Sequence, residues 1–498
     1  MSELSDATLP SLKGVGTPRY DRRRLKRGIV HIGVGNFVRT HLMPYLDACL
    51  TLGGHEDWGL VGVGLSDGAS ARAKAAAFRE QDFLYTMTSF GPDGEAETRV
   101  IGAMVEYLHA PADPEAVLAR LAAPETRLVT LTITEGGYNI DEVSGAFRKD
   151  AADVQRDLRS ELPTTTFGFL VEGLARRRAA GLAAFTIASC DNLRGSGDIT
   201  RTAVLGYAEA RDPSLARWIS DNVDFPNSMV DRLAPQVPES QREALNARSG
   251  VEDRVPVLTE AFTRWVVEDT FRHGRPAFER VGVEFSDTVA QQLAIKGRLL
   301  NASHGLLAYP SLLLGYRLVH EGLGDPRIRR LVERFIDEDA RPLVERFAGV
   351  SLETYAGEFI ARFSNPAIPD TLLRVAGDGV AKLPTFHART LEGLIEEERD
   401  LRREAFLFAC FARYLSFAYD PAVRDDGGDR FDPFEPNLND EDWAMLRSAD
   451  PSGVLRLPAF ARFHLDGLPA FREPFDRFSE ALATGGAGAA MSLLDPGA

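Results

Sequence analysis

The spacing of apolar positions changes character once along the chain, near residue 286. Before that point, short apolar runs alternate with helical segments. Gly28-Ile-Val-His-Ile-Gly-Val34 is rich in β-branched residues and predicts a buried strand. It runs into Gly35-Asn-Phe-Val-Arg-Thr40, after which His41 to Leu50 has the apolar spacing of a helix. Further strands are expected at Gly59–Leu65, Arg127–Thr134 and Ala184–Ser189, with helices near 113–122 and 167–180. This alternation predicts an α/β fold with a Rossmann-type, doubly wound and mostly parallel sheet. Beyond 286 long amphipathic patterns take over, at 288–321, 325–347, 351–363, 387–396 and 400–418. Two domains are therefore expected: 1–285 built on the sheet, and a large all-helical 286–498. The boundary lies near Phe285-Ser-Asp287, after a strand at Val281–Phe285. The polar loop 424–441 and the small-residue tail ATGGAGAAM are expected at the surface and poorly ordered. No internal repeat is evident.

Within the first long helical pattern lies Lys296-Gly-Arg-Leu-Leu-Asn301-Ala-Ser-His304. At roughly 100° per residue, Lys296, His304 and Asn301 fall near 0°, 80° and 140° around one α-helix. An amine, an imidazole and an amide on a Leu-rich helix need polar atoms to meet. Spacing alone leaves two readings open: a buried polar network tying helices together, or an active site. Ser303 is a poor nucleophile candidate, because adjacent helical residues such as Ser303 and His304 do not face each other.

Composition narrows the classes. The 498 residues are 44% hydrophobic and 26% charged, enough for sizeable cores. A formal charge of −16, spread along the chain, argues against nucleic-acid or anionic-membrane partners. The basic run at 22–27 is expected to be a solvated lead-in to the first strand. Three dispersed cysteines, Cys49, Cys190 and Cys410, suit a reducing compartment. The N-terminal stretch has no signal-peptide pattern and no apolar run reaches membrane-spanning length, so a soluble cytoplasmic protein is expected. The nine histidines show no metal-ligand spacing, and Trp58, Trp218, Trp265 and Trp443 are read as packing residues.

The strand–glycine turn–helix at Gly33 and Gly35 is the context in which a G-x-G pattern signals dinucleotide binding. The first glycine allows the tight turn, and the second lets backbone approach the pyrophosphate. Val38 stands where the fingerprint has its third small residue, and a structural turn is the alternative reading. Phe37 and Val38 belong to the same candidate nucleotide turn. Arg39 in the first helical turn is expected to contact phosphate. Asp67, after the second strand, is placed for the adenosine ribose hydroxyls. A carboxylate there repels a ribose phosphate, and no arginine follows until Arg72, so NAD is expected over NADP. Glu135, in Thr-Ile-Thr-Glu-Gly-Gly, lines the active-site mouth or caps the next turn.

Five stretches together carry a family likeness: IVHIGVGNFVRTH at 29–41, TLTITEGGYNID at 130–141, SCDNL at 189–193, FPNSMVDR at 225–232 and KGRLLNASH at 296–304. A sixth, RFSNPAIPDTLLR with GVAKLPTF, spans 362–386. In them the chain resembles the polyol-specific long-chain dehydrogenases, of which mannitol 2-dehydrogenase is the type. The resemblance implies metal-independent oxidation of a linear polyol to a ketose, D-mannitol to D-fructose first, with NAD as cofactor. It implies Lys296 as general base, a role open to a lysine whose pKa is brought down by burial or positive neighbours. Asn301 and Asn192 match the amides that stabilise the developing alkoxide. His304 matches the residue that holds the reacting hydroxyl, and Asp231, Arg374 and Lys382 match those that grip the rest of the polyol. D-Arabinitol 4-dehydrogenase or sorbitol oxidation is the nearest alternative, and a catalytically silent NAD-binding sensor a distant one. The resemblance also favours a monomer.

Three departures from the family pattern stand out. This chain has Val38-Arg39-Thr40-His41 where His-Arg-Ala-His is usual. Leu293 replaces a glutamate linked to proton passage from the lysine. Asp378-Gly-Val-Ala-Lys382 replaces Asp-Gly-Ser-Ser-Lys, losing two hydroxyls near the polyol.

Overall fold

The computed structural model describes residues 1–141, 144–344, 352–447 and 450–495, leaving aside the side chains of Glu135 and of residues 353–356. The chain divides into two compact units, Met1–Ala290 and Gln291–Ala498.

The first unit is built on a five-stranded sheet. In chain order its strands are β1 (Ile29–Ile32), β2 (Leu60–Gly64), β3 (Met104–His109), β4 (Leu128–Leu131) and β5 (Thr186–Ser189). Their spatial order is β3-β2-β1-β4-β5, all parallel, with Ile29 level with both Leu60 and Leu128. This is the Rossmann-type arrangement. Strand direction of winding reverses between β1 and β4, the switch point where such sheets bind ligands. Near-continuous apolar strands form because both faces are covered. Ile29, Leu60 and Leu128 enter one hydrophobic core, whereas Val30, Ile32, Val61, Val63, Val129 and Leu131 enter the other. Helices α1 (Asn36–Thr40), α2 (Leu42–Thr51) and α3 (Ala69–Glu80) follow β1 and β2.

Two three-stranded sheets were not legible in the apolar pattern. Tyr85–Phe90 pairs antiparallel with Ala96–Ile101 and parallel with Val257–Glu260. Arg264–Val267 lies between Ser228–Asp231 and Glu284–Phe285, so the strand expected at 281–285 is only its last two residues.

The second unit is helical. The pattern at 288–321 is not one helix. It is α4 (Val289–Lys296), a π turn at Gly297–Asn301, and α5 (Ala302–Leu313). Gly315, at φ +100°, ends α5, with Tyr316 N–H bonded to Ser311 O in a glycine-terminated cap. The expected helices at 325–347 and 351–363 lie partly outside the described residues. Further helices are α6 (Leu372–Ala376), α7 (Gly379–Phe386), α8 (Arg402–Ser416) and α9 (Pro469–Leu494).

The expectation of a disordered tail is corrected: ATGGAGAAM lies inside α9. Its small residues allow close packing, with Ala487, Ala490 and Met491 buried. Gly486 interrupts the helix at φ +75° because Asp426 accepts from Ala487 N and Gly488 N, both at 2.9 Å. The polar loop 424–441 is likewise anchored, with Asp425 buried against Arg317. Among the described residues no helix is long and apolar enough to cross a membrane.

Candidate active site

In the first unit, candidate residues gather at the carboxyl ends of β1, β2, β4 and β5. Gly33 has φ +99°, and a Cβ there would lie 2.0 Å from the carbonyl oxygen of Thr132. Only glycine fits between β1 and the chain leaving β4. Thr132 Oγ1 donates to Gly33 O at 2.6 Å and so bridges the two turns of the switch point. Beneath them His31 bonds Thr130 and Thr132 at 2.8 and 3.0 Å, and burial pushes its pKa down to about 4, leaving it neutral. Gly35 differs from Gly33: a Cβ there would approach nothing nearer than Gly33 O at 4.0 Å, so its bare face is open. That open backbone is the observation by which the turn fits a dinucleotide pyrophosphate.

Val38 fills the helix–sheet interface completely, a burial worth about 1.5–3 kcal/mol. Phe37 stacks on His41, with ring centroids 4.8 Å apart. The expected phosphate contact of Arg39 needs correcting. Arg39 is 5% exposed, and its guanidinium donates to Gly35 O, Val255 O and Asn36 Oδ1. It braces the glycine turn from within, because those acceptors satisfy it where water cannot reach. The cation at the turn is instead Lys74 on α3, whose Nζ donates to Val34 O at 2.9 Å. Burial first, and then the charge of Arg39, hold its pKa below the ordinary lysine value.

Asp67 lies just past β2 and pairs with Arg72 at 2.9 Å; both side chains are mostly exposed, at 69% and 58%. Glu135 begins the turn after β4, but its side chain lies outside the described residues. Thr134 before it sits at φ 61°, ψ 165°, a strained conformation for a residue with a Cβ. Asp191 holds it there, accepting from Ile133 N and Thr134 N at 3.0 Å each and from Tyr138 OH at 2.6 Å. Asn192 follows directly, exposed at the end of β5. Asp231 ends the Ser228–Asp231 strand, buried and level with Arg264 on the neighbouring strand.

In the second unit the π turn reorganises the Lys296 stretch. Ala302 N–H bonds Gly297 O, five residues back. One additional residue in that turn sets back everything after it by roughly 100°. Asn301 and His304 then fall at roughly 40° and −20° about Lys296, so the three side chains share a sector of about 60°. Lys296 is 5% exposed, and Asn301 and His304 are half-buried. The His304 ring packs against Phe363 and Phe359, at 5.1 and 6.1 Å.

Arg374 and Lys382 flank the turn between α6 and α7. Arg374 forms a two-point pair with buried Asp370, and Lys382 Nζ donates to Gly377 O at 2.6 Å and Val375 O at 3.2 Å. α7 packs on the π turn and α5: Cβ atoms at Gly297 and Gly305 would lie 3.7 Å from Phe386 and 3.3 Å from Leu383.

Residues 27–280 match the mannitol dehydrogenase Rossmann domain, and 289–472 match the mannitol dehydrogenase C-terminal domain. The chain belongs to the mannitol dehydrogenase family. Within it, the polyol:NADP oxidoreductase of Gluconobacter oxydans (strain 621H) is 44% identical over 459 residues, covering 92% of this chain and 93% of that protein. A crystal structure of a D-sorbitol dehydrogenase in substrate-free form is 41% identical, with a TM-score of 0.88 over 98% of this chain and all of that one. The Pseudomonas fluorescens mannitol 2-dehydrogenase, in a ternary complex with NAD and D-mannitol, is 36% identical, with a TM-score of 0.88 over the full length of both chains.

Measured against this mannitol dehydrogenase fold, sequence reasoning missed four features. Asp191 lies inside the SCDNL stretch, next to Asn192, and only the strained turn reveals its role. Lys74 carries no local signal, since it reaches the glycine turn from another helix. The π turn leaves no trace in a pattern read at 3.6 residues per turn. Glu435, in the loop expected to be disordered, is a buried carboxylate.

Proposed function

We propose that the protein oxidises a linear polyol to the ketose, D-mannitol to D-fructose first, without a metal ion and with NAD as the preferred cofactor. The observation that carries this reading is the π turn that gathers Lys296, Asn301 and His304 on one sector of a buried helix. Lys296 takes the proton of the reacting hydroxyl as general base. Asn301 and Asn192 donate to the oxygen as it becomes an alkoxide, adding no charge that needs a partner of its own. His304 orients the hydroxyl, its ring fixed by Phe359 and Phe363. Asp231, Arg374 and Lys382 hold the remaining hydroxyls, which both donate and accept.

Gly33, Gly35, Phe37 and Val38 form the dinucleotide turn, with Lys74 as its cation and Arg39 as its internal brace, and Glu135 lines the active-site entrance. When bound, the nicotinamide supplies the hydride acceptor. Asp67 favours the unphosphorylated ribose. The Asp67–Arg72 pair, and the NADP in the name of the Gluconobacter relative, support a second reading in which NADP is also used. D-Arabinitol and D-sorbitol, the latter in keeping with the D-sorbitol dehydrogenase neighbour, are the alternative substrates.

The test is a panel of D-mannitol, D-arabinitol, D-sorbitol and xylitol with NAD and with NADP at pH 9–10, following reduced-nucleotide absorbance. D-Mannitol with NAD is expected to be fastest. No signal with any pair would favour a nucleotide-binding sensor instead.

A further inference from the structure

The loop around Glu435 closes onto the turn that carries Lys382. Asp378, between α6 and α7, is left-handed at φ 63°. Its N–H donates to Phe434 O at 2.9 Å, and its carboxylate accepts from Asn437 Nδ2 at 2.7 Å. Between these two contacts Glu435 turns inward, 8% exposed, and its two oxygens accept from Gly379 N at 2.8 Å and Val380 N at 3.2 Å. These are the first N–H groups of α7, which the helix itself cannot satisfy. Gly379 has no room for a side chain, since a Cβ would lie 2.3 Å from Tyr309 Oη. One turn on, Lys382 reaches back to Val375 O and Gly377 O. Glu435, the bare backbone at Gly379 and Lys382 thus form one fastened unit.

We propose that Glu435 is a positioning residue for the polyol: docked on the first turn of α7, it sets where Lys382 and the α6–α7 turn present their donors. This rests on the reading of Lys382 as a polyol-gripping residue. The charged and titratable groups facing Glu435 are Asp378 on the turn, Lys382 on α7, Tyr309 on α5 and Tyr414 on α8. Burial, with Asp378 adding to it, pushes the Glu435 pKa up to about 7. Its charge therefore changes in the neutral range, and a positioning role leaves a signature that a merely structural one does not.

The experiment measures kcat and KM for D-mannitol between pH 6 and 9 in the unmodified protein, Glu435→Gln, Glu435→Asp and Lys382→Ala. In the unmodified protein KM is expected to fall severalfold as pH rises through about 7. Glu435→Gln is expected to raise KM about tenfold, flatten that dependence, and leave kcat and the KM for NAD within about twofold; Glu435→Asp restores part of both. A pH-independent KM in the unmodified protein overturns the proposal even if Glu435→Gln fails to fold. So does a Glu435→Gln variant with unmodified KM and pH dependence while Lys382→Ala raises KM, and the polyol role of Lys382 then survives. If Lys382→Ala leaves KM unchanged, or D-mannitol is not turned over, the parent reading falls and takes the proposal with it.

Discussion

Gly33 and Gly35 stand two residues apart in one turn, yet they make opposite predictions. An alanine at Gly33 must adopt φ near +99° and place its Cβ 2.0 Å from a backbone oxygen that belongs to the chain leaving β4. The left-handed conformation costs about 1–2 kcal/mol. Moving Thr132 aside adds an overpacking term of about 1–3 kcal/mol. A loss near 3 kcal/mol corresponds to a drop of about 5 °C in the unfolding transition of the first unit, Met1–Ala290. At Gly35 φ is −96°, and the nearest atom to a Cβ is 4.0 Å away. Gly35→Ala therefore folds at no cost, and its methyl instead occupies the face where pyrophosphate approaches. We expect a Tm within about 1 °C of the unmodified protein and NADH affinity weakened tenfold or more, about 1.4 kcal/mol. Differential scanning fluorimetry gives the first quantity and NADH fluorescence titration the second. A Gly35→Ala variant that binds NADH normally, or a Gly33→Ala variant with unchanged Tm, would refute the assignment of the two glycines.

Lys74→Met is expected to weaken NADH binding about tenfold while leaving Tm unchanged, because its ammonium sits at the glycine turn outside the core; unchanged affinity removes Lys74 from the nucleotide site. Asp67→Ala releases Arg72 and is expected to lower the NAD-to-NADP ratio of kcat/KM tenfold or more; an unchanged ratio contradicts the ribose assignment. Glu435 also predicts how stability varies with pH. Its folded pKa lies above the ordinary 4.5, so the folded protein binds the proton more tightly than the unfolded chain. That contribution is complete below about pH 4.5 and is lost as pH rises to about 7, at most about 3 kcal/mol. Tm measured from pH 5 to 8 is expected to move in favour of Glu435→Gln over the unmodified protein as pH rises, and parallel curves would contradict it.

The parts of this fold that burial dictates were legible in the sequence. β1, β2, β4 and β5 are short runs buried on both faces, and the change to helical spacing near 286 marks where the sheet gives way to helices. Elements determined by partners remote in sequence were not. The tail ATGGAGAAM reads as a poorly ordered surface segment until it is seen as the end of α9, the helix that packs on α8, with Ala487, Ala490 and Met491 buried. Arg39 reads as a phosphate ligand until the carbonyls of Gly35 and Val255 enclose it. The Lys296 stretch showed the right residue types, but on a straight helix they spread over roughly 140°, and only the π turn draws them together.

The central claim is that Lys296 moves the proton in polyol oxidation, and Lys296→Ala tests it most directly. Initial rates with NAD and D-mannitol at pH 9–10 are compared with NADH affinity measured on the same preparation. The expected result is a kcat lowered by two or more orders of magnitude, about 3 kcal/mol or more of transition-state stabilisation, with NADH affinity unchanged. A variant that turns over D-mannitol at near-normal rate would contradict it.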